Sequence, residues 1–168
     1  NFKPLPFTFD RSTSATRVNK EGLIEVVSNN EPRIDYTDST EGSLLLEPNR
    51  SNLITYSEDF TDASWIKSGV TLSSNSVISP DGTLNADEFS FASNLFFARQ
   101  IVSVSASTNY TFSFYAKKGT AIGVNFRVFD LSNSSQIAFV NYEDDLVDNQ
   151  WVRIDYSFTT PLGCTSIF

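Results

Sequence analysis

Three segments in the second half of the chain alternate apolar and polar residues, and this period-two pattern limits the fold more than any other feature. The apolar sets, each on one side of its segment, are Tyr110, Phe112, Phe114 and Ala116; Val124, Phe126 and Val128; and Val152, Ile154, Tyr156 and Phe158. Successive side chains of a β-strand point to opposite faces, so each segment would place one face in a core and the other in solvent. The pattern predicts three amphipathic strands.

Weaker strand patterns lie at residues 84–91, 95–104 and 136–142. Turn-forming residues separate the strands at 79–82 (Ser-Pro-Asp-Gly), 118–120 (Lys-Gly-Thr) and 132–134 (Ser-Asn-Ser). No segment keeps apolar residues at helical spacing over three turns. The sequence therefore predicts an all-β fold, an antiparallel β-sandwich.

The first fifty residues differ from the rest. Arg17-Val18 and residues 23–27 flank the turn 19–22 (Asn-Lys-Glu-Gly), where Gly22 can take a positive φ, and this predicts a β-hairpin. Prolines such as Pro32 and Pro48 divide the region into pieces too short to bury a core. We expect a boundary at residues 48–51, with 1–50 as an attachment or assembly segment and 51–168 as the sandwich.

Charge and composition exclude several classes of function. The chain has 20 Asp and Glu against 12 Lys and Arg, a formal net charge of -8, which disfavours binding along a phosphate backbone. No apolar run approaches the roughly 18 residues of a membrane span. The absence of His removes Ser–His and Cys–His catalysis and imidazole metal ligands, and the single Cys164 cannot form an internal disulfide. We expect no nucleic-acid partner and no membrane insertion.

Three phrases occur in order within residues 15–60: ATRVNKEGLIE, PRIDY and LLLEPNRSNLITYSEDF. This ordered run resembles a segment of structural proteins of tailed bacteriophages, where it precedes a β-rich module similar to carbohydrate-binding jelly rolls. The resemblance implies a jelly-roll sandwich in which residues 52–60 form the first strand and 63–89 the following hairpin. The preceding segment would be an irregular β-hairpin region.

For function, the resemblance implies a non-enzymatic virion structural protein, a tail-fibre, tail-spike or head-fibre component on the exterior of the particle. Its partners would be other virion proteins, copies of itself in a homotrimer, and host cell-surface polysaccharide. Two alternatives stay open: a purely architectural spacer or adaptor without a ligand, and a glycan-binding module of a secreted bacterial protein. Because the chain begins at Asn1 rather than Met, we expect either a processed chain or an ordered piece of a longer polypeptide, with the sandwich truncated at its C-terminal end.

The polar sides of the predicted strands offer a glycan-binding face. Sugars are held by aromatic faces together with amide and guanidinium groups that hydrogen-bond to hydroxyls. The candidate residues are Gln100 (or Arg99 in its place), Tyr115, Lys117, Asn125, Arg127 and Phe129. The same face would be covered by residues 1–50 or by another subunit in the architectural alternative. Trp65 and Trp151 are expected to pack structurally rather than to stack on a ligand.

The paired carboxylates of the chain are weak candidates for catalysis. Glu58-Asp59, Asp87-Glu88 and the acidic triplet 143–145 are sequence neighbours, whose side chains point to opposite faces of a strand. A glycosidase needs two carboxylates that converge from different elements. We therefore expect solvated acids and no enzymatic activity.

Calcium is the other role for these acids. Related jelly rolls often hold a structural Ca²⁺ with oxygens near the first and the last strand, and the resemblance implies that the first-strand ligands here come from Asn52, Glu58 or Asp59. The closing strand that would supply the remaining ligands is expected to be missing from this chain. The hard oxygen atoms of these three residues suit Ca²⁺, although no contiguous DxDxDG-type loop is present. We expect no other cofactor.

Overall fold

The computed structural model describes residues 9–48, 50–91 and 96–168, and every strand pairing in this part of the chain is antiparallel. The described strands are β1 (Ala15–Val18), β2 (Ile24–Val27), β3 (Ile34–Asp35), β4 (Ser43–Leu44), β5 (Ile66–Ser68), β6 (Val70–Ile78), β7 (Leu84–Phe91), β8 (Phe97–Arg99), β9 (Val102–Ser103), β10 (Asn109–Lys117), β11 (Asn125–Asp130), β12 (Ser135–Asn141), β13 (Trp151–Thr159) and β14 (Ser166–Ile167). A short 3₁₀ turn, Glu143–Asp145, is the helical element of these residues, and no described helix could span a membrane. The predicted all-β class is confirmed.

The chain divides into two compact units. The first contains the residues up to Ser51 together with Pro80–Thr83, and the second contains Asn52–Ser79 and Leu84–Phe168. In the first unit β1 pairs with β2, and the Asn19 side chain accepts hydrogen bonds from the backbone N–H groups of Glu21 and Leu23. Gly22 closes this turn with a φ of 82°. The predicted hairpin is therefore confirmed, while residues 1–8 of the proposed segment lie outside the described part.

Two sheets form the sandwich of the second unit. One is the pair β10–β13, in register from Asn109↔Thr159 to Lys117↔Trp151, and the other has the order β12-β11-β14-β9. The core between them contains Phe126, Val128, Ala138, Ile154, Cys164 and Ile167, with Phe112, Phe114 and Tyr156 among the side chains packed around it. The three strongly predicted strands thus bury the faces that alternation assigned to the core.

The remaining strands of this unit pair as β5–β8 and β6–β7. The β6–β7 hairpin overlaps the predicted 63–89 region and ends two residues beyond it. Its connection, residues 79–83, contains the predicted turn 79–82. The prediction of a first strand at 52–60 is wrong, because these residues form bends and turns. They fold back on themselves through side-chain bonds such as Asn52 Oδ1 accepting from the Ile54 N–H. The strand order specific to a jelly roll stays a prediction.

Two weak strand predictions changed in detail. The 95–104 segment forms the short strands β8 and β9, which are separated at Gln100, while Leu95 lies outside the described residues. The 136–142 segment is β12, one residue earlier at each end. The second unit therefore presents two outer sheet faces, one on β10–β13 and one on the four-stranded sheet.

Candidate functional site

A row of phenylalanine and arginine side chains extends from the outer face of the four-stranded sheet to strand β8 of the β5–β8 pair. We call it the Phe/Arg face and define it by six residues: Phe97, Arg99, Arg127, Phe129, Phe139 and Phe168. Strand alternation places Arg127 and Phe129 opposite the buried Phe126 and Val128. Phe139 is the cross-strand partner of Arg127, so both side chains lie on the same face.

Successive members of this row are in contact. The Arg99 guanidinium lies 4.8 Å from the ring centroid of Phe97 and 4.4 Å from that of Phe168. Phe168 stacks on Phe129 with centroids 5.2 Å apart, and the Arg127 guanidinium lies 4.6 Å from the Phe129 centroid. These contacts follow the order Phe97, Arg99, Phe168, Phe129 and Arg127, and Phe139 lies across from Arg127 on the next strand. The contacts between guanidinium groups and rings stabilise the row through cation–π attraction.

The row is open to solvent at both ends and half-buried at its centre. Phe97 is 40% exposed and Phe139 57% exposed, while Arg99, Phe129 and Phe168 are intermediate. The Arg99 Nε atom is buried and has no hydrogen-bond partner among the described residues. Arg127 is exposed. A surface with flat apolar rings and exposed guanidinium N–H groups can bind a ligand that has both C–H patches and oxygen acceptors.

The predicted glycan-binding residues do not lie on one face. Asn125, Arg127 and Phe129 share the outer face of β11, where Asn125 Nδ2 donates to the Gly123 carbonyl. Tyr115 and Lys117 are exposed on β10, on the outer face of the other sheet. The core separates these two groups, because Phe112 and Phe114 of β10 pack against Phe126 of β11.

The outward position predicted for Gln100 is wrong. Gln100 is only 7% exposed, and its Nε2 donates to the Thr55 carbonyl at 2.6 Å while its Oε1 accepts from the Thr55 N–H at 3.2 Å. Arg99, predicted from the sequence as the alternative to Gln100, is the residue that lies in the Phe/Arg face, against the Phe168 ring. Gln100 instead lies inside the unit and holds the 52–60 segment through its two hydrogen bonds to the Thr55 backbone.

Sequence reasoning missed Phe97, Phe139 and Phe168 as members of the face. A signal was present for Phe97, which is two residues before Arg99 and therefore on the same side of an extended strand. For Phe139 and Phe168 the decisive fact is strand pairing, since β12 and β14 flank β11. That pairing has no local sequence signal.

The outer face of β10–β13 is polar and internally paired. Tyr115 is 39% exposed and lies across from Arg153, whose Nη1 donates to the Asp155 carboxylate at 3.1 Å. Thr111 and Ser157 share a hydrogen bond at 2.8 Å on the same face. Most donors and acceptors here have partners within the sheet, unlike those of the Phe/Arg face.

The residues predicted to bind calcium lie in the turn region 52–60. Asn52 bonds to the Ile54 N–H and the Ser57 hydroxyl, and Glu58 is exposed. The Thr61 hydroxyl and N–H groups bond to Asp59 and hold the pKa of its carboxyl below the usual value of 3.8. Nearby carbonyl oxygens point to an ammonium group instead, because Lys67 Nζ donates to Phe60 O at 2.6 Å.

No group of three or more His, Cys, Asp or Glu side chains is placed to bind one metal ion in the part of the chain that the structure describes. Calcium at Asn52, Glu58 and Asp59 therefore stays a prediction.

The two tryptophans are held by packing and backbone contacts. Trp65 is buried, with its ring centroid 4.5 Å from that of Phe60, and its Nε1 donates to the Tyr56 carbonyl. Trp151 Nε1 donates to the Ile78 carbonyl at 2.8 Å, which links the start of β13 to the end of β6. These contacts agree with the structural role expected for both residues.

Comparison with protein-family models, with curated proteins and with solved structures finds no match to this chain.

Proposed function

We propose that this chain is a non-enzymatic structural protein of a tailed-phage virion, a fibre or spike component whose sandwich binds glycans on the host surface. The ordered phrases of residues 15–60 support the virion assignment. The observation that carries the glycan assignment is the Phe/Arg face, where three rings and two guanidinium groups touch in a row that runs from β8 to the outer face of the four-stranded sheet.

The physical basis of recognition is shallow contact. A sugar ring lays a C–H face on a phenylalanine ring, while its hydroxyl oxygens accept from the guanidinium N–H groups. An open sheet face of this kind suits weak single-site affinity, with a Kd of about 1 mM, which corresponds to a binding free energy of about 4 kcal/mol. Repetition in a homotrimer on a multi-copy particle raises the effective affinity by about 10² to 10⁴ through avidity.

The contacts of the acidic residues that are adjacent in the sequence support a non-enzymatic role. Asp87 accepts hydrogen bonds from the backbone N–H groups of Phe60 and Asn75, and Glu143 accepts from the Gly123 N–H. These carboxylates hold backbone turns together and are not paired across a cleft as a glycosidase requires. Hydrolysis of a polysaccharide by the purified protein, abolished by Asp87→Asn, would contradict this part of the proposal.

The proposal is tested by glycan-array binding and host-cell adsorption of the wild type and of Arg127→Gln and Phe139→Ala variants. Both residues are exposed, so the variants are expected to fold, and we expect binding to fall about tenfold or more for Arg127→Gln because a charge-assisted hydrogen bond is lost. Tyr115→Ala is the matched control, since Tyr115 is exposed on the other outer face. Its binding is expected to equal that of the wild type.

The alternatives predict other results. A spacer without a ligand gives no array signal and unchanged adsorption in all variants. A module of a secreted bacterial protein binds glycans through the same residues, but its gene does not lie beside capsid and tail genes. Loss of binding in Tyr115→Ala with full binding in Arg127→Gln would move the site to the β10–β13 face.

A further inference from the structure

The two arginines of the Phe/Arg face have no carboxylate partner, whereas four other cations among the described residues have one. Ion pairs join Arg17 to Glu25, Arg33 to Glu47, Lys118 to Asp148 and Arg153 to Asp155, at 2.6 to 3.3 Å. Arg99 and Arg127 form no ion pair within the described residues. Arg11, Lys20, Arg50, Lys67 and Lys117 form none either. The distinctive feature of Arg99 and Arg127 is that their guanidinium groups lie close together, at 4.4 and 5.8 Å from the centroid of the same Phe168 ring.

The strands around these arginines place neutral residues on the same face. Register and alternation give the outward positions of β9, β11, β12 and β14 as Ser103, Asn125, Arg127, Phe129, Gln136, Phe139, Asn141 and Ser166. No Asp or Glu is among these positions. The face is therefore a positively charged area on a chain of net charge -8.

Ring contacts hold the two guanidinium planes in place. Arg99 lies between Phe97 and Phe168, and Arg127 lies against Phe129. A guanidinium group fixed in this way loses little side-chain entropy when it binds, and its planar fork matches the two oxygens of a carboxylate. The rings beside it remain available to the C–H face of a sugar.

We infer that the ligand of the Phe/Arg face is an acidic glycan, a polysaccharide with carboxylated sugars such as uronic or sialic acids. This inference rests on the proposed glycan-binding function and names its substrate class. The carboxylate binds Arg99 or Arg127, and the sugar ring packs on Phe129 or Phe168. Phosphate groups also match the guanidinium fork, so single-stranded DNA is the competing occupant in the test.

The test uses matched pairs of glycan fragments. Each uronate- or sialate-bearing fragment is presented on an array beside its carboxyl-reduced form, and the strongest pair is then titrated in solution. We expect the wild type to bind the acidic member about tenfold to hundredfold more tightly, as one charge-assisted contact allows. Arg99→Gln and Arg127→Gln are expected to weaken binding of the acidic member much more than binding of the reduced form, so that the preference for the acidic member is lost.

Arg153→Gln is the matched control, because it removes an exposed arginine from the outer face of the other sheet. It should leave the preference unchanged. Phe139→Ala should weaken both members of a pair equally, since it removes ring contact and no charge.

The possible outcomes separate the inference from the proposed function. Equal binding of both members of every pair, or preference for the reduced form, overturns the acidic ligand and leaves glycan binding intact. The inference is also overturned if binding requires sulfate groups. It is overturned as well if the protein binds single-stranded DNA and loses this binding in Arg99→Gln and Arg127→Gln. No binding to any fragment, with adsorption unchanged in the variants, overturns the proposed function itself.

Discussion

At the scale of single residues, Asp130 organises one corner of the sandwich. It is fully buried at the end of β11, where its Oδ1 accepts from the N–H groups of Ser132 and Asn133 and its Oδ2 accepts from Asn133 Nδ2. Asn133 Nδ2 also donates to the Leu162 carbonyl. One carboxylate therefore ties the β11–β12 turn to the loop before β14.

The Asp130 contacts make stability depend on pH. Burial alone raises the pKa of Asp130, but the hydrogen bonds from Asn133, Cys164 and Ser132 outweigh it and hold the pKa below the usual 3.8. A carboxyl whose pKa is lowered on folding stabilises the folded state above its unfolded pKa. That contribution is lost as the pH falls through the folded pKa.

We expect Asp130→Asn to lower Tm at neutral pH, because an amide nitrogen would then face the donors that the carboxylate accepts. The Tm difference from the wild type should shrink as the pH falls from about 5 through the region below about 4, where the wild-type carboxyl also becomes protonated. Thermal unfolding followed by circular dichroism over this pH range measures it. Asp155→Asn, in an exposed ion pair worth at most about 1 kcal/mol, is the control. A constant Tm difference at every pH would contradict the role given to the carboxylate.

At the scale of elements, β10, β11 and β13 could be predicted from the sequence because their alternation persists over six to nine residues. Where a strand is interrupted, the same rule fails. Gln100 follows the end of β8 and precedes β9, so the chain leaves the strand there and the side chain turns inward. The family resemblance also implied a strand at 52–60, but the side chains of Asn52 and Asp59 accept from the backbone N–H groups two residues further along and favour turns.

For a related reason, the sequence predicted which residues of the candidate site share a strand face, but not which strands lie in the same sheet. Alternation gives the residues that share one side of a strand, such as Arg127 and Phe129, but it does not give the sheet that the strand joins. β10 pairs with β13 and β11 with β12 and β14, which puts Tyr115 and Arg127 on different sheets. Such pairings depend on long-range packing that local sequence does not encode.

Phe126 is the element-level contact on which the sandwich depends most directly. Its ring centroid lies 5.4 Å from that of Phe112 and 5.6 Å from that of Tyr156, across the two sheets. We expect Phe126→Ala to lower the free energy of unfolding by about 3–5 kcal/mol, because lost transfer energy and a cavity add. Urea unfolding followed by tryptophan fluorescence measures the change.

Phe139→Ala is the matched control for Phe126→Ala. It makes the same substitution on the adjacent strand at a side chain that is 57% exposed. We expect its unfolding free energy to stay within about 0.5 kcal/mol of the wild type. An equal loss of unfolding free energy in the two variants would contradict the assignment of Phe126 to the core and of Phe139 to the exposed face.

At the scale of the whole molecule, local and overall charge have opposite signs. The chain carries a net charge of -8, while the Phe/Arg face presents two unpaired guanidinium groups. Electrostatic interactions reach about 30 Å at 10 mM salt but only about 8 Å at physiological ionic strength. A short acidic fragment therefore responds mainly to the face, whereas a long acidic polymer also meets the repulsion of the remaining surface.

This opposition predicts different salt dependences for one site. Affinity for a short carboxylated fragment should fall steadily as NaCl rises from about 10 mM, since salt screens its contact with Arg99 and Arg127. Affinity for the long polymer should first rise, as screening removes the wider repulsion, and then fall.

Titration of both ligands over the same salt series measures this, with an Arg99→Gln/Arg127→Gln double variant as control. In that variant the fragment should lose its salt dependence while the polymer keeps only the rising part. Parallel curves for fragment and polymer in the wild type would mean that the net charge has no part in recognition, because the only difference between the ligands is how much of the surface each one meets.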